Sequence, residues 1–216
     1  MLFSGLSLAD IIARVLALLI AITVHEAAHA WSAFRLGDPT ARAMGRLSLN
    51  PLRHLDLLGS LMLLVAGVGW GKPVPVNPRN FRTGAKAGMA ITSFAGPLSN
   101  LVVAGLVSLP IRLTHIPLRM GGSALIPGLG DILLSIILLN IGLAIFNLIP
   151  IAPLDGFSVA MGLLPYRWAV QFARLEPYGP IILVGLFAAG WFLPINPLGM
   201  LMQPAYSLFL RLFLGV

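Results

Sequence analysis

Long apolar runs alternate along this chain with short polar connections marked by glycine and proline. The first run, residues 6–34, predicts a helix that starts near Asp10 and Arg14 and stops at Arg35-Leu36-Gly37-Asp38-Pro39. Residues 35–56 are polar and basic. The fourteen mostly apolar residues 57–70 are too short to cross a hydrocarbon core of ~30 Å as a helix, so a re-entrant or interfacial segment is expected. Lys72-Pro73-Val74-Pro75-Val76-Asn77-Pro78 must then be extended, because proline in a helix interior lacks a donor and clashes with the preceding turn. A second helix is predicted over 84–112, a glycine- and proline-rich loop over 113–130, and a third helix over 131–149, broken by Pro150 and Pro153. A short segment to Leu164 and a polar connection, 165–178, follow. The last two helices are expected at 180–193 and 197–214, the latter interrupted by Gln203-Pro204 and Arg211. The pattern predicts an α-helical integral membrane protein. It has about five transmembrane helices, a re-entrant or β-strand segment after the first, and a single domain over 1–216 with its core at 6–165 and C-terminal helices at 180–214.

Composition supports this: 58% of residues are hydrophobic, 10% are charged and the mean hydropathy is +0.94. A soluble domain carries about 25% charged residues. Cysteine is absent, so any metal must be held by His, Asp or Glu. The net charge of +7 suits contact with membrane lipid. No arginine-rich aromatic module points to nucleic acid. Because the first apolar run continues into a polar motif instead of a cleavage site, no cleavable signal peptide is expected. Eight of the fourteen Lys and Arg residues fall within 35–86. The positive-inside rule therefore places that loop in the cytoplasm, with the N-terminus outside. Helix 3 then returns inward, so the end of helix 1 and the turn at Asp155 share the cytoplasmic side. A prokaryotic cytoplasmic membrane is the expected location.

Chemistry enters with His25-Glu26-Ala27-Ala28-His29. On a helix, His25 and His29 leave one face a turn apart, which suits two nitrogen ligands of one Zn2+. Glu26 beside them can act as general base on a metal-bound water. The motif lies ~15 Å from Arg35 at ~1.5 Å per residue, inside an apolar helix, where ionisable groups are costly and mark function. A catalytic zinc needs a third protein ligand. Among Asp10, Asp38, Asp56, Asp131, Asp155 and Glu176, Asp155 is the best placed, in a proline-broken turn after an apolar helix. Its simple alternative is a helix N-cap.

These segments together resemble the site-2 protease family of intramembrane zinc metalloproteases. The matching pieces are the 25–29 motif, Asn50-Pro51-Leu52-Arg53-His54-Leu55-Asp56, Gly71-Lys72-Pro73-Val74-Pro75-Val76-Asn77-Pro78, Gly96-Pro97-Leu98-Ser99-Asn100 and the stretch from Asn147 to Gly156, in order over residues 15–165. The resemblance implies that Asp155 is the third zinc ligand and Glu26 the base and proton shuttle. It also implies that Asn147 donates to the substrate carbonyl or oxyanion; the alternative for Asn147 is a helix C-terminal cap. Phe157 and Leu57 stand where the family often has glycine and proline, and neither change removes a ligand. A compact form without PDZ or CBS domains is expected. His54 is expected to pair structurally with Asp56. Asn100 either braces a histidine ligand or bonds between helices.

The implied reaction is hydrolysis of peptide bonds in or near transmembrane segments of membrane proteins. An unwound substrate needs backbone partners in lipid. In 72–77 the prolines remove donors from one edge, while Val74 and Val76 keep donors and acceptors on the other, which could pair with substrate as an added strand. Two other classes remain open. A zinc or cation transporter would repeat its ligand sets on several helices. A membrane-anchored zinc protease cutting at the cytoplasmic surface would carry its metal motif outside the apolar run.

Overall fold

In the computed structural model of the protein, residues 7–56, 59, 71–114, 126–192 and 194–215 are described. Helix α1, Leu8–Arg35, starts on a reciprocal cap: Ser7 accepts from the Asp10 backbone N–H, and the Ser7 N–H donates to Asp10 Oδ2 at 2.9 Å. It ends at Gly37, whose φ of +111° favours glycine. Ala9, Ala13, Ala17, Ala21, His25, His29 and Ala33 fall on one i, i+4 row, and all are buried. Small side chains on that row let neighbouring helices approach closely. The neighbours are α3, Ala85–Thr114, and α4, Leu129–Asn147, which also pack on each other. Ile137 and Ile141 of α4 are fully buried and anchor a core with Ala104, Ile111 and residues of the last helix.

Between α1 and α3 lie the short helix α2, Thr40–Ala43, two 3-10 turns and the extended stretch 72–77. After α4 the chain turns sharply, with a cis Ala152–Pro153 bond. It then enters α5, Asp155–Leu163, which packs on α3. A Cβ on Gly162 would stand 2.1 Å from that of Ala90, so only glycine lets α5 lie this close. The chain continues with α6, Tyr166–Ala173, a 3-10 turn, α7, Gly179–Phe192, and α8, Pro197–Leu214.

Four stretches are long and apolar enough to cross a membrane: Leu8–Arg35, Ala85–Leu113, Leu129–Asn147 and Tyr166–Gly190. The last runs through α6, its following turn and most of α7. The protein is therefore a helical membrane protein with four such helices among the described residues, against the five expected. Helix α8, with Gln203 and Arg211, is not among the four. The connection expected over 165–178 contains an amphipathic helix, α6. Arg167 and Gln171 lie four apart on its polar side, and Ala169 is buried on the other. The re-entrant segment expected over 57–70 lies outside the described residues, apart from Gly59. Among the described residues there is no strand; residues 72–77 are extended without a ladder, next to an isolated antiparallel bridge between Leu55 and Gly71.

Asp38 ties the segment between α1 and α3 together. It is fully buried and accepts from the Thr40 N–H and hydroxyl, from Asn80 Nδ2 at 2.8 Å and from the Asn77 N–H at 2.7 Å. His54 is structural, as expected, but its partner differs: Nε2 meets the Ser48 carbonyl at 2.7 Å, while Asp56 accepts from the Gly59 N–H. Burial alone would push the Asp38 carboxyl up, yet the hydrogen bonds from Thr40, Asn80 and Asn77 hold it below the ordinary carboxylate range. A lowered folded value means stability that is present above the unfolded value of about 4 and is lost as pH falls through the folded one. We predict that Asp38→Ala costs about 1–3 kcal/mol at pH 7, through donors left unsatisfied. In thermal unfolding the gap from wild type should narrow below about pH 4. Equal melting at pH 7 would contradict the role assigned to Asp38.

Candidate metal centre

His25 and His29 come from the buried row of α1, and Asp155 is the first residue of α5. His25 Nε2 and His29 Nε2 are 3.0 Å apart. Asp155 Oδ2 lies 3.0 Å from the first and 3.2 Å from the second. The two rings sit edge to face, with centroids 4.6 Å apart. Asp155 does not cap its helix: Leu154 is the N-cap residue and offers no side-chain bond.

The outer ring nitrogens decide what this cluster can do. His29 Nδ1 meets the Thr92 carbonyl at 2.7 Å, and His25 Nδ1 meets Asn100 Oδ1 at 2.7 Å. Both partners can only accept, so each Nδ1 carries the proton. In neutral imidazoles the Nε2 atoms are then lone pairs, and they face each other and a carboxylate oxygen. Asp155 Oδ2 is buried and, among the described residues, finds no hydrogen-bond donor despite its two short contacts. Three converging lone pairs in an apolar interior repel unless a cation lies between them. Two imidazole nitrogens and one carboxylate oxygen form the donor set of a catalytic zinc site with one position left open, and these residues fit that ion.

Neighbouring elements leave room for the cluster. A Cβ on Gly96 of α3 would stand 2.4 Å from His29 Nε2 and 2.7 Å from His25 Cε1. One residue on, Pro97 interrupts the hydrogen-bond ladder of α3 at Ser93, next to the Thr92 carbonyl that holds His29. Gly156 lies against the carbonyl of Leu148, where a Cβ would come within 2.3 Å; this folds the turn back and sets Asp155 at the cluster.

Glu26 is half-buried on the adjacent strip of α1, and its Oε1 is 3.5 Å from where a Cβ on Gly71 would stand. The extended stretch thus starts beside Glu26. Its ends are tied. The Lys72 N–H donates to the His54 carbonyl at 2.8 Å, Arg46 Nη2 donates to the carbonyls of Lys72 and Pro73, and Asn77 is held by Asp38. Val74 and Val76 between them are half-buried, and their peptide groups make no hydrogen bond among the described residues. Asn147 is the last residue of α4, outside the three-ligand cluster. Its Nδ2 donates to the Leu143 carbonyl at 3.0 Å, one turn back within the same helix, while Leu148 is the C-cap residue.

Two positions that no motif flags contribute here. Arg46 is buried and orders the extended stretch. Asn140 is fully buried within the most apolar part of α4 and accepts from Asn100. Its only sequence signal is an amide inside an otherwise apolar run.

Comparison with known proteins agrees with the donor set. The chain is 40% identical over 185 residues to "Putative zinc metalloprotease YwhC" of Bacillus subtilis, covering 86% of this chain and 81% of that protein. It is 29% identical over 181 residues to "Putative zinc metalloprotease Rip2" of Mycobacterium tuberculosis, covering 81% of this chain and 67% of the relative. The same-named protein of Mycolicibacterium smegmatis is 30% identical over 173 residues, or 78% of this chain and 63% of the relative. No family model matches the chain, and no solved structure matches it.

Proposed function

Because the chain belongs to the zinc metalloprotease family of these relatives, we propose that it is an intramembrane protease of the site-2 type, cleaving transmembrane proteins within or beside their membrane segments. The observation that carries this reading is the depth of the donor set: two of its three members sit on α1, a helix long and apolar enough to span a membrane. His25, His29 and Asp155 would hold Zn2+, which when bound would polarise the scissile carbonyl and lower the pKa of a water to ~7. Glu26 would take a proton from water and deliver it to the leaving amine. Asn147 donates to the carbonyl oxygen as charge develops there. The connection over 115–128 is too short for a PDZ insert, which supports the compact form at that point. The excess of Lys and Arg after α1 supports an active site facing the cytoplasm of a prokaryotic inner membrane, in contact with lipid.

A substrate helix must unwind before its peptide bonds can be cut. The peptide groups of Val74 and Val76, without hydrogen bonds among the described residues, supply partners for the unwound stretch. Arg46 fills the carbonyls at one end of the segment, and Asp38 holds the other. What remains is a short edge of fixed length.

Glu26→Gln should keep its zinc and lose about 10²–10⁴-fold in turnover of a model transmembrane peptide. Near-normal cleavage would sink the mechanism. Val74→Pro should also keep zinc, but slow cleavage of both a helical substrate and an already extended peptide. Each lost bond costs about 0.5–1.5 kcal/mol. Wild-type rates on both substrates would leave the stretch as scaffold only.

A further inference from the structure

We propose that Asn140 of α4 is a positioning residue for the metal centre: through Asn100 it holds His25 in the tautomer whose Nε2 lone pair faces the site. The inference rests on the zinc reading above and deepens it. Four residues on three helices form one directed chain. Asn140 Nδ2 donates to the Ile136 carbonyl at 2.8 Å. Asn140 Oδ1 accepts from Asn100 Nδ2 at 2.8 Å, and the same Nδ2 donates to the Ala21 carbonyl at 3.0 Å. Asn100 Oδ1 then accepts from His25 Nδ1 at 2.7 Å.

The direction of this chain is not free. Both ends that fix it, Ile136 and Ala21, are backbone carbonyls, which cannot donate. A flipped Asn140 would put oxygen against oxygen at Ile136. A flipped Asn100 would do so at Ala21 and again at Asn140, and would aim its NH2 at His25. The imidazole would then have to accept at Nδ1 and carry its proton at Nε2, where it cannot bind a metal. Asn140 and Asn100 are both fully buried, so no water competes for these bonds. An amide suits position 140 because it carries both the donor for Ile136 and the acceptor for Asn100.

His29 needs no such relay, since its Nδ1 meets the Thr92 backbone carbonyl directly. His25 faces a side chain that could turn, and Asn140 removes that freedom. Partners that orient metal-ligating histidines are worth 10–100-fold in metal affinity. Asn140 acts one bond further out and shares its task with the Ala21 carbonyl, so the low end of that range is expected.

The test measures zinc affinity by chelator competition on purified full-length protein, together with the visible absorption of the cobalt-loaded form, which reports ligand number and geometry. Asn140→Leu removes the acceptor at similar volume; Asn140→Ala replaces it if the leucine does not fit. Either should bind zinc about tenfold more weakly and shift the cobalt spectrum. Asn140→Asp, neutral when buried, keeps an acceptor for Asn100 and an O–H for Ile136, and should restore both readouts. Wild-type affinity and spectrum in a folded Asn140→Leu or Asn140→Ala protein would overturn the relay. So would equal loss in the aspartate variant. Absence of zinc from the wild-type protein would instead refute the zinc reading itself, so the two failures are distinguishable.

Discussion

Two imidazole nitrogens and a carboxylate oxygen face one another at 3.0–3.2 Å inside an apolar helix assembly, each presenting a lone pair. The surrounding structure serves that convergence. The alanine row on α1 brings α3 and α4 close, and Gly96 leaves the volume that the histidine rings occupy. The turn after α4, closed by Gly156 against the Leu148 carbonyl, brings Asp155 to the cluster from a later part of the chain. Even the outer ring nitrogens are committed, one to a backbone carbonyl and one to a buried amide. The energy of such a site depends on the ion, because the polar atoms that point inward find no donors of their own.

The same economy governs the segment between α1 and α3. Asp38 and Arg46 satisfy the backbone at both ends of the extended stretch, and its middle finds no partner among the described residues.

Much of this was legible in the sequence, for local reasons. The i, i+4 spacing places both histidines on one face whatever else the fold does, and the apolar runs give α1, α3, α4 and α7 to within about two residues at each end. Asp155 could be singled out because the chain has so few acids. Other features depend on tertiary placement. Helix α6 reads as a connection because it is only eight residues long and Arg167 and Gln171 interrupt its apolar run. A strand over 72–77 needs a ladder partner; among the described residues the stretch has none, and its prolines withhold two donors. Asn140 is one amide in an apolar run, and nothing in its spacing says that it meets Asn100 across a helix interface.

The central claim is that Asp155 completes a metal site begun by His25 and His29 on α1. Zinc content measured on the purified protein and on its Asp155→Ala variant tests it most directly. The account predicts about one zinc per wild-type chain and a clear loss in the variant, because a catalytic site with only two protein ligands binds poorly. Full zinc retained by Asp155→Ala would remove the carboxylate from the site and contradict the account.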